Sequence, residues 1–373
     1  MQYKTLGNTN RKISVIGQGC MGIGGYFSKD TSRDGYLVRM LQEGIDSGLA
    51  FLDTAEAYGD GHSEKLVGIA IEGRRDDVFL ATKVSPEHLS YDAVLRSAEQ
   101  SLRRLKTDYI DLYQLHWPNP RIPITETMAA MEQLVRRGIV RHIGVSNFSL
   151  PEIREAQVAL TQEKIVSIQI EYNLFDRTIE DDILPYCEQE GMTTIAYSPL
   201  DRGNLVTKDR RSKALQEIAN KYNKTAAQLC LKWLVSHSSL IAIPKATSRE
   251  HIKENAASAD FDLLPEDFEE IDRLFAQARL YIPTDRIRVD ATGFDRFVPS
   301  PSDLAESIRQ DGSLKPIRVT PTNDKTSKYD YDLVEGKLRY WAWVIAHEGK
   351  APIAALIRKE IRGDTENQSR TLP

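Results

Sequence analysis

Four side chains of types that move protons stand near the ends of successive apolar runs. Phe51-Leu52-Asp53-Thr54-Ala55-Glu56-Ala57-Tyr58-Gly59 places an acid directly after an apolar pair and a phenol five residues on. Val78-Phe79-Leu80-Ala81-Thr82-Lys83 ends in a lysine, and Tyr109-Ile110-Asp111-Leu112-Tyr113-Gln114-Leu115-His116-Trp117 carries a histidine at its end. Carboxylate, phenol, ammonium and imidazole at the carboxyl ends of neighbouring strands are what proton-coupled chemistry on a carbonyl needs. A phenol ordinarily titrates near pH 10. A nearby ammonium is expected to lower that value by favouring phenolate, and Lys83 can supply the charge, with Asp53 pairing to hold it. The scheme calls for no metal. Taken singly, Asp53 or Thr54 would cap a helix, Lys83 would be a solvated strand end, His116 a hydrogen-bonded core residue and Tyr58 a pocket wall. Their joint placement points to an enzyme.

The elements that must position them alternate along the chain. A hairpin is expected over Met1 to Ser14, around Gly7-Asn8-Thr9-Asn10. Apolar residues at helical spacing then precede each strand: Gly35 to Gly48 before the strand to Asp53, Ser63 to Ile71 before the strand to Lys83, and Tyr91 to Leu105 before the strand to His116. Thr125 to Arg137, stopped by Gly138, precedes Arg141 to Asn147. Pro151 to Leu160, Ile179 to Glu190 and a two-part helix over Ser212 to Ser236 precede strands at Ile165 to Asn173, Thr193 to Pro199 and Leu240 to Lys245. With a first strand before the glycine-rich loop that follows Val15 and a last helix through Ala257, the chain carries eight strands, each followed by helix, over roughly 250 residues, which predicts an α/β fold, a closed (β/α)8 barrel, with an open doubly wound sheet as the runner-up. Gly17-Gln18-Gly19-Cys20-Met21-Gly22 matches G-x-G-x-x-G, but glycine-rich Ile23 to Ser28 follows instead of a helix, so these glycines read as a loop at a strand mouth.

Composition bounds the alternatives. The chain has 373 residues, 41% hydrophobic and 28% charged, with a formal net charge of -5 and a pI near 5.9. There is no bulk positive field for nucleic acid or an anionic membrane. Cys20, Cys187 and Cys230 are odd in number and scattered, without ligand spacing, which suits a reduced, cytoplasmic protein. No apolar stretch approaches membrane-spanning length.

The series D-T-A-x-x-Y-G, A-T-K, Leu-His-Trp, Gly-Val-Ser-Asn, Gln-x-Glu-Tyr-Asn and Tyr-Ser-Pro-Leu, in that order, resembles the aldo-keto reductase superfamily over about 280 residues. The resemblance implies Asp53, Tyr58, Lys83 and His116 as the catalytic tetrad. It implies Ser146, Asn147 and Gln169 at the nicotinamide carboxamide, Tyr197 under the ring, and Ser198, Leu200 and Asn204 along the pyrophosphate. Lys245, Glu254 and Asn255 match the family's adenosine 2′-phosphate and adenine site. Ala246 and His251 depart from its usual serine and arginine, with Thr247, Ser248 and Arg249 as compensating groups. NADPH is the expected cofactor, with NADH use open. Tyr26 and Trp117 are candidate walls of the substrate pocket. The loops around Tyr26 to Arg33, Trp117 to Thr125 and Arg279 to Asp285 would set the identity of a small, sugar-like or otherwise polar carbonyl substrate.

The domain boundaries expected are 1–279 for the barrel and 280–362 for an added α+β domain, with 363–373 a disordered tail. L-A-E-S-I-R-x-D-G-x-L-x-P-I-R-V and L-V-E-G-K-L-R-Y-W-A resemble the ParB-like/sulfiredoxin-like fold. That resemblance implies a phosphate site at Gly336, Lys337 and Arg339, hence a nucleotide partner. Within this domain Leu338, Trp341, Ala342 and Ile345 are expected to face inward. Lys337 stands where sulfiredoxins carry cysteine, and balanced charge without a helix-turn-helix opposes DNA clamping. The rival to a reductase is a regulatory protein whose barrel senses NADP(H) redox state and whose C-terminal domain binds a nucleotide or partner.

Overall fold

The computed structural model describes residues 1–206, 210–276, 280–290, 300–311, 316–322, 324 and 326–357. The tail 363–373 and the turn expected near Gly312 lie outside them. The chain divides into two compact units, Met1–Pro118 with Ile122–Phe275, and Asn119–Arg121 with Ala276–Pro373.

The first unit opens with an antiparallel hairpin, β1 (Tyr3–Thr5) and β2 (Lys12–Ser14). Eight parallel strands follow in one sheet ordered as in the sequence: β3 (Gln18–Gly19), β4 (Phe51–Asp53), β5 (Phe79–Val84), β6 (Ile110–Leu115), β7 (Val140–Ser146), β8 (Ile165–Glu171), β9 (Thr193–Tyr197) and β10 (Leu240–Ala242). A parallel bridge between Ile16 and Ala242, with Gly17 N–H donating to Ala242 O at 2.8 Å, joins the first segment to the last and closes the barrel. The helices between strands are α1 (Asp34–Asp46), α2 (His62–Ala70), α3 (Tyr91–Leu105), α4 (Ile124–Arg136), α5 (Leu150–Ala159), α6 (Ile183–Glu190), and the pair α7 (Arg210–Asn220) and α8 (Ala226–Ser236); α9 (Arg249–Ala256) and α10 (Pro265–Leu274) follow β10.

Local chemistry accounts for these elements. In α3 the buried residues Val94, Ser97, Ala98, Ser101 and Leu105 recur at three or four residues, so one face meets the barrel and the rest is polar. Capping boxes, Ser149 with Glu152 and Thr225 with Gln228, open α5 and α8. Gly191, at φ 64°, ends α6.

Strand periodicity then decides which residues face the barrel interior. Phe51, Phe79, Ala81, Leu112, Ile195 and Ile241 pack together inside, whereas Leu52, Leu80, Tyr113 and Leu115 pack outward under the helices. Two residues beyond an interior position, on the same face, come Asp53, Lys83 and Gln114, and His116 follows Gln114 by two more.

The second unit is built on a mixed five-stranded sheet, β11 (Leu280–Ile282), β12 (Ile287–Arg288), β13 (Ile317–Pro321), β14 (Tyr331–Glu335) and β15 (Ile353–Ile357), in the order β11-β15-β13-β14-β12. Helices α11 (Pro301–Asp311) and α12 (Lys337–Ala346) pack on each other through Ala305, Ile308 and Ala342. Two expectations need correction. Leu280–Ile282, read as loop, is an edge strand antiparallel to β15. On α12, Ile345 is exposed and Tyr340 is buried instead, because its hydroxyl donates to Thr284 O at 2.8 Å and the ring can leave water without stranding a polar group.

Candidate active site

The four proton-moving side chains converge at the carboxyl ends of β4, β5 and β6. Lys83, fully buried, donates to Asp53 Oδ2 at 2.7 Å, to Thr54 O at 2.9 Å and to the Tyr58 hydroxyl at 3.2 Å. The ring of His116 meets that of Tyr58 edge-on, centroids 5.6 Å apart. Burial tends to push the Lys83 ammonium toward neutrality, but Asp53 and Tyr58 together outweigh it and its pKa rises above the ordinary value. Burial, helped by the Lys83 charge, drops His116 to about 3, so its imidazole is neutral across the physiological range.

Tyr58 departs from expectation. Its pKa is raised, because burial of the phenol outweighs the opposing pull of Lys83. The lysine holds the hydroxyl in place without making it phenolate, and a proton donor of this kind stays protonated near neutrality.

Gln114 and Gln169 complete the centre. Asp53 Oδ1 accepts from Gln169 Nε2 at 2.7 Å and from Gln114 Nε2 at 3.4 Å. Gln169 Nε2 lies 3.4 Å from Gln114 Oε1. Gln114 escaped the sequence reading, although its place two residues before His116 on an inward-facing strand was a usable signal. The room it needs comes from Gly144, where a Cβ would stand 3.0 Å from Gln114 Cγ and 2.7 Å from Ser167 Oγ.

Of the residues implied for a dinucleotide, Asn147 and Tyr197 adjoin this centre. Asn147, at φ 62°, turns the chain after β7 so that its Nδ2 donates to His116 O (3.0 Å) and Ser146 Oγ (3.1 Å). The Tyr197 hydroxyl donates to Asn147 Oδ1 at 2.9 Å. Ser198 (φ 48°), Asp201 (φ 45°), Arg202 (φ 55°) and Gly203 (φ 95°) form a tightly folded turn in which Gly203 N–H donates to Leu200 O, and Asn204 Nδ2 to Asp201 Oδ2. Beyond β10, the Lys245 ammonium lies 5.6 Å from the Tyr26 ring centroid, and Thr247 O accepts from the Tyr36 hydroxyl. Ser248 caps α9 by accepting from His251 N–H, while Arg249 pairs with Glu43 at 2.9 Å. Glu254 is bonded to the Thr225 hydroxyl, and Asn255 is buried. The candidate pocket aromatics Tyr26 and Trp117 are exposed, and Tyr26 O accepts from Gly59 N–H at 2.7 Å, next to Tyr58. An inward amide, an aromatic ring, a sharply turned loop and a capped helix start beside Lys245 are a donor set suited to amide, ring and phosphates in turn.

In the second unit, Gly336 (φ 95°) starts α12, Lys337 Nζ lies 3.7 Å from Asp290, and Arg339 Nη1 donates to Pro316 O at 2.8 Å. The three cysteines are free and buried. Burial raises all three thiols, Cys187 and Cys230 to about 12, so none is a ready nucleophile. Among the described residues no helix is long and apolar enough to cross a membrane.

A closed parallel barrel with an acid–lysine–tyrosine–histidine cluster at its mouth defines an oxidoreductase built for carbonyl chemistry. Residues 15–276 match the model of the aldo/keto reductase family. The chain is 39% identical over 264 residues to methylglyoxal reductase YeaE of Escherichia coli, covering 70% of this chain and 91% of that protein. It is 35% identical over 243 residues to a glyoxal reductase of Bacillus subtilis, covering 64% and 84%. Among solved structures it resembles an aldo-keto reductase of Klebsiella pneumoniae in complex with NADPH, at TM-score 0.68 and 38% identity over 74% of this chain and 96% of that one. It also resembles the thermostable aldo-keto reductase Tm1743 bound to epalrestat, at TM-score 0.71 and 44% identity over 74% and 100%. The chain belongs to the aldo/keto reductase family and is an oxidoreductase of that class.

Proposed function

We propose that the protein reduces a small aldehyde or ketone with NADPH, in a reducing cytoplasmic compartment, and that short dicarbonyls such as methylglyoxal and glyoxal lead its substrates. The observation that carries this reading is the buried contact of Lys83 with both Asp53 and Tyr58, with His116 beside the phenol. The names of the two reductases above support the substrate class, and the NADPH-bound relative supports the cofactor.

When bound, the cofactor supplies a hydride from the nicotinamide; the rest falls to the chain. Neutral His116 donates a hydrogen bond to the carbonyl oxygen and orients it. Tyr58, held by Lys83, gives that oxygen its proton. Asp53 keeps Lys83 charged and fixed in a site from which water is excluded. Ser146, Asn147 and Gln169 meet the carboxamide, Tyr197 the ring, and Ser198, Leu200 and Asn204 the pyrophosphate. Lys245, Thr247, Arg249, His251, Glu254 and Asn255 meet the adenosine end, and Tyr26 and Trp117 wall the substrate.

NADPH consumption with methylglyoxal, glyoxal and a panel of larger carbonyls, repeated with NADH, tests the reading. Turnover highest for the short dicarbonyls with NADPH supports it. Tight NADPH binding without turnover on any carbonyl would favour the redox-sensing protein instead.

For the second unit we propose a ParB-like accessory domain that holds a nucleotide's phosphates at Gly336, Lys337 and Arg339. The left-handed glycine before α12 and two cations in that helix's first turn support it. Titration calorimetry with nucleoside triphosphates on wild type and Lys337→Glu would show binding lost in the variant; no heat with any of them sinks the idea.

A further inference from the structure

The amide of Gln169 is fixed by its neighbours. A carboxylate oxygen only accepts, so the group 2.7 Å from Asp53 Oδ1 must be the NH2 of Gln169 and not its carbonyl. The second acceptor near that nitrogen, Gln114 Oε1 at 3.4 Å, belongs to an amide whose own NH2 donates to the same Asp53 oxygen. Both hydrogens of Gln169 are therefore directed inward, and Oε1 is what the side chain keeps for a ligand. All three side chains are buried, and Gly144 leaves the space that Gln114 occupies.

We infer that Asp53 is a positioning residue for the cofactor as well as the partner of Lys83: with Gln114 as a second brace, it sets the carboxamide of Gln169 so that this residue presents an acceptor to the nicotinamide. One oxygen of Asp53 serves the proton-donating pair and the other serves the cofactor amide. This rests on the reading that Gln169 meets the nicotinamide carboxamide, and it makes that contact specific for the carboxamide NH2.

Replacing the carboxylate has a defined consequence. In Asp53→Asn, Lys83 is a donor only and claims the asparagine oxygen, so the asparagine NH2 faces Gln169. Gln169 must then reverse, offering its oxygen inward and its NH2 to the ligand. A carboxamide, which has both groups, tolerates the reversal by rotating; a ligand with only a carbonyl gains by it.

The 3-acetylpyridine analogue of NADP carries a methyl group where the carboxamide has NH2. Dissociation constants of NADP and this analogue, measured by fluorescence quenching, test the inference without turnover. Wild type is expected to favour NADP by about fivefold or more, the size of one hydrogen bond net of desolvation. Asp53→Asn should bring the ratio to about one or below, and Lys83→Met, which leaves the Gln169 contact intact, should keep the wild-type ratio. Gln169→Met should also give about one. An unchanged ratio in Asp53→Asn or Gln169→Met, or equal loss in Lys83→Met, overturns the inference while leaving the reductase reading standing. Should Asp53→Asn not fold, Asp53→Ala decides in the same assay, because alanine leaves Gln169 without its carboxylate acceptor: a ratio near one supports the inference and a wild-type ratio overturns it. Failure of wild type to bind NADP at all would overturn both.

Discussion

Lys83→Met should be costly to the fold as well as to the chemistry. Methionine keeps much of the volume of the lysine stem but removes the ammonium from Asp53 Oδ2, Thr54 O and the Tyr58 hydroxyl, which it reaches at 2.7, 2.9 and 3.2 Å. The carboxylate of Asp53 is left buried with amide donors and no counter-charge. Removing one partner of a buried ion pair costs about 3–5 kcal/mol. For a barrel of this size each kcal/mol lowers Tm by roughly 2 °C, so the expected fall is about 6–10 °C. The cost comes from the stranded charge, and therefore Asp53→Asn placed in the same chain should recover most of it. Calorimetric melts of wild type, both single variants and the double variant at pH 7 form the cycle. Unchanged Tm in Lys83→Met, or additive losses in the double variant, would refute the claim that the two charges depend on each other in the folded state.

Three further outcomes follow from the same geometry. His116, held neutral down to about pH 3, binds a proton more readily when unfolded, so its contribution to stability falls as pH drops below its ordinary value near 6.5. Between pH 6.5 and 5, urea melts should show wild type losing about 1.6 kcal/mol more than His116→Gln, because the unfolded imidazole is already half protonated where that interval begins; equal losses would show that the histidine is not held neutral. Gly144→Ala pushes a Cβ to within 2.7 Å of Ser167 Oγ and 3.0 Å of Gln114 Cγ, and overpacking of this kind costs about 1–3 kcal/mol, read by the same melts. Glu43→Gln frees Arg249 from its 2.9 Å partner, and the ratio of NADPH to NADH affinity should rise in fluorescence titrations; an unchanged ratio would place Arg249 away from the 2′-phosphate.

The convergence of Asp53, Tyr58, Lys83 and His116 was legible because they lie at or just past strand ends, where period-two alternation carries an apolar face up to the mouth of a barrel. Phe51 and Asp53, or Ala81 and Lys83, declare both the strand and the face. The direction of the Tyr58 shift was not legible, since it depends on how much burial the finished site imposes against one ammonium. Nor was Gln114: a glutamine inside an apolar strand signals that something must satisfy it, but which groups do so is set by Asp53 and Gln169, 61 and 55 residues away in the chain. In the second unit, helical spacing located α12 and its inward Trp341 and Ala342 but put Ile345 inside and missed Tyr340, which is buried with an acceptor, Thr284 O, that spacing cannot reveal. Strand β11 is three residues long and gains its partner only from β15, so local pattern gave it no signal.

The proposed reduction turns on Tyr58 as the proton donor, with the surrounding residues holding NADPH. Tyr58→Phe beside wild type, with methylglyoxal turnover followed by NADPH absorbance and NADPH affinity by fluorescence, tests it directly. The expected result is a loss of kcat of about 10²-fold or more, the range for a general acid, with NADPH affinity within about twofold of wild type. Turnover in the phenylalanine variant equal to wild type would contradict the account.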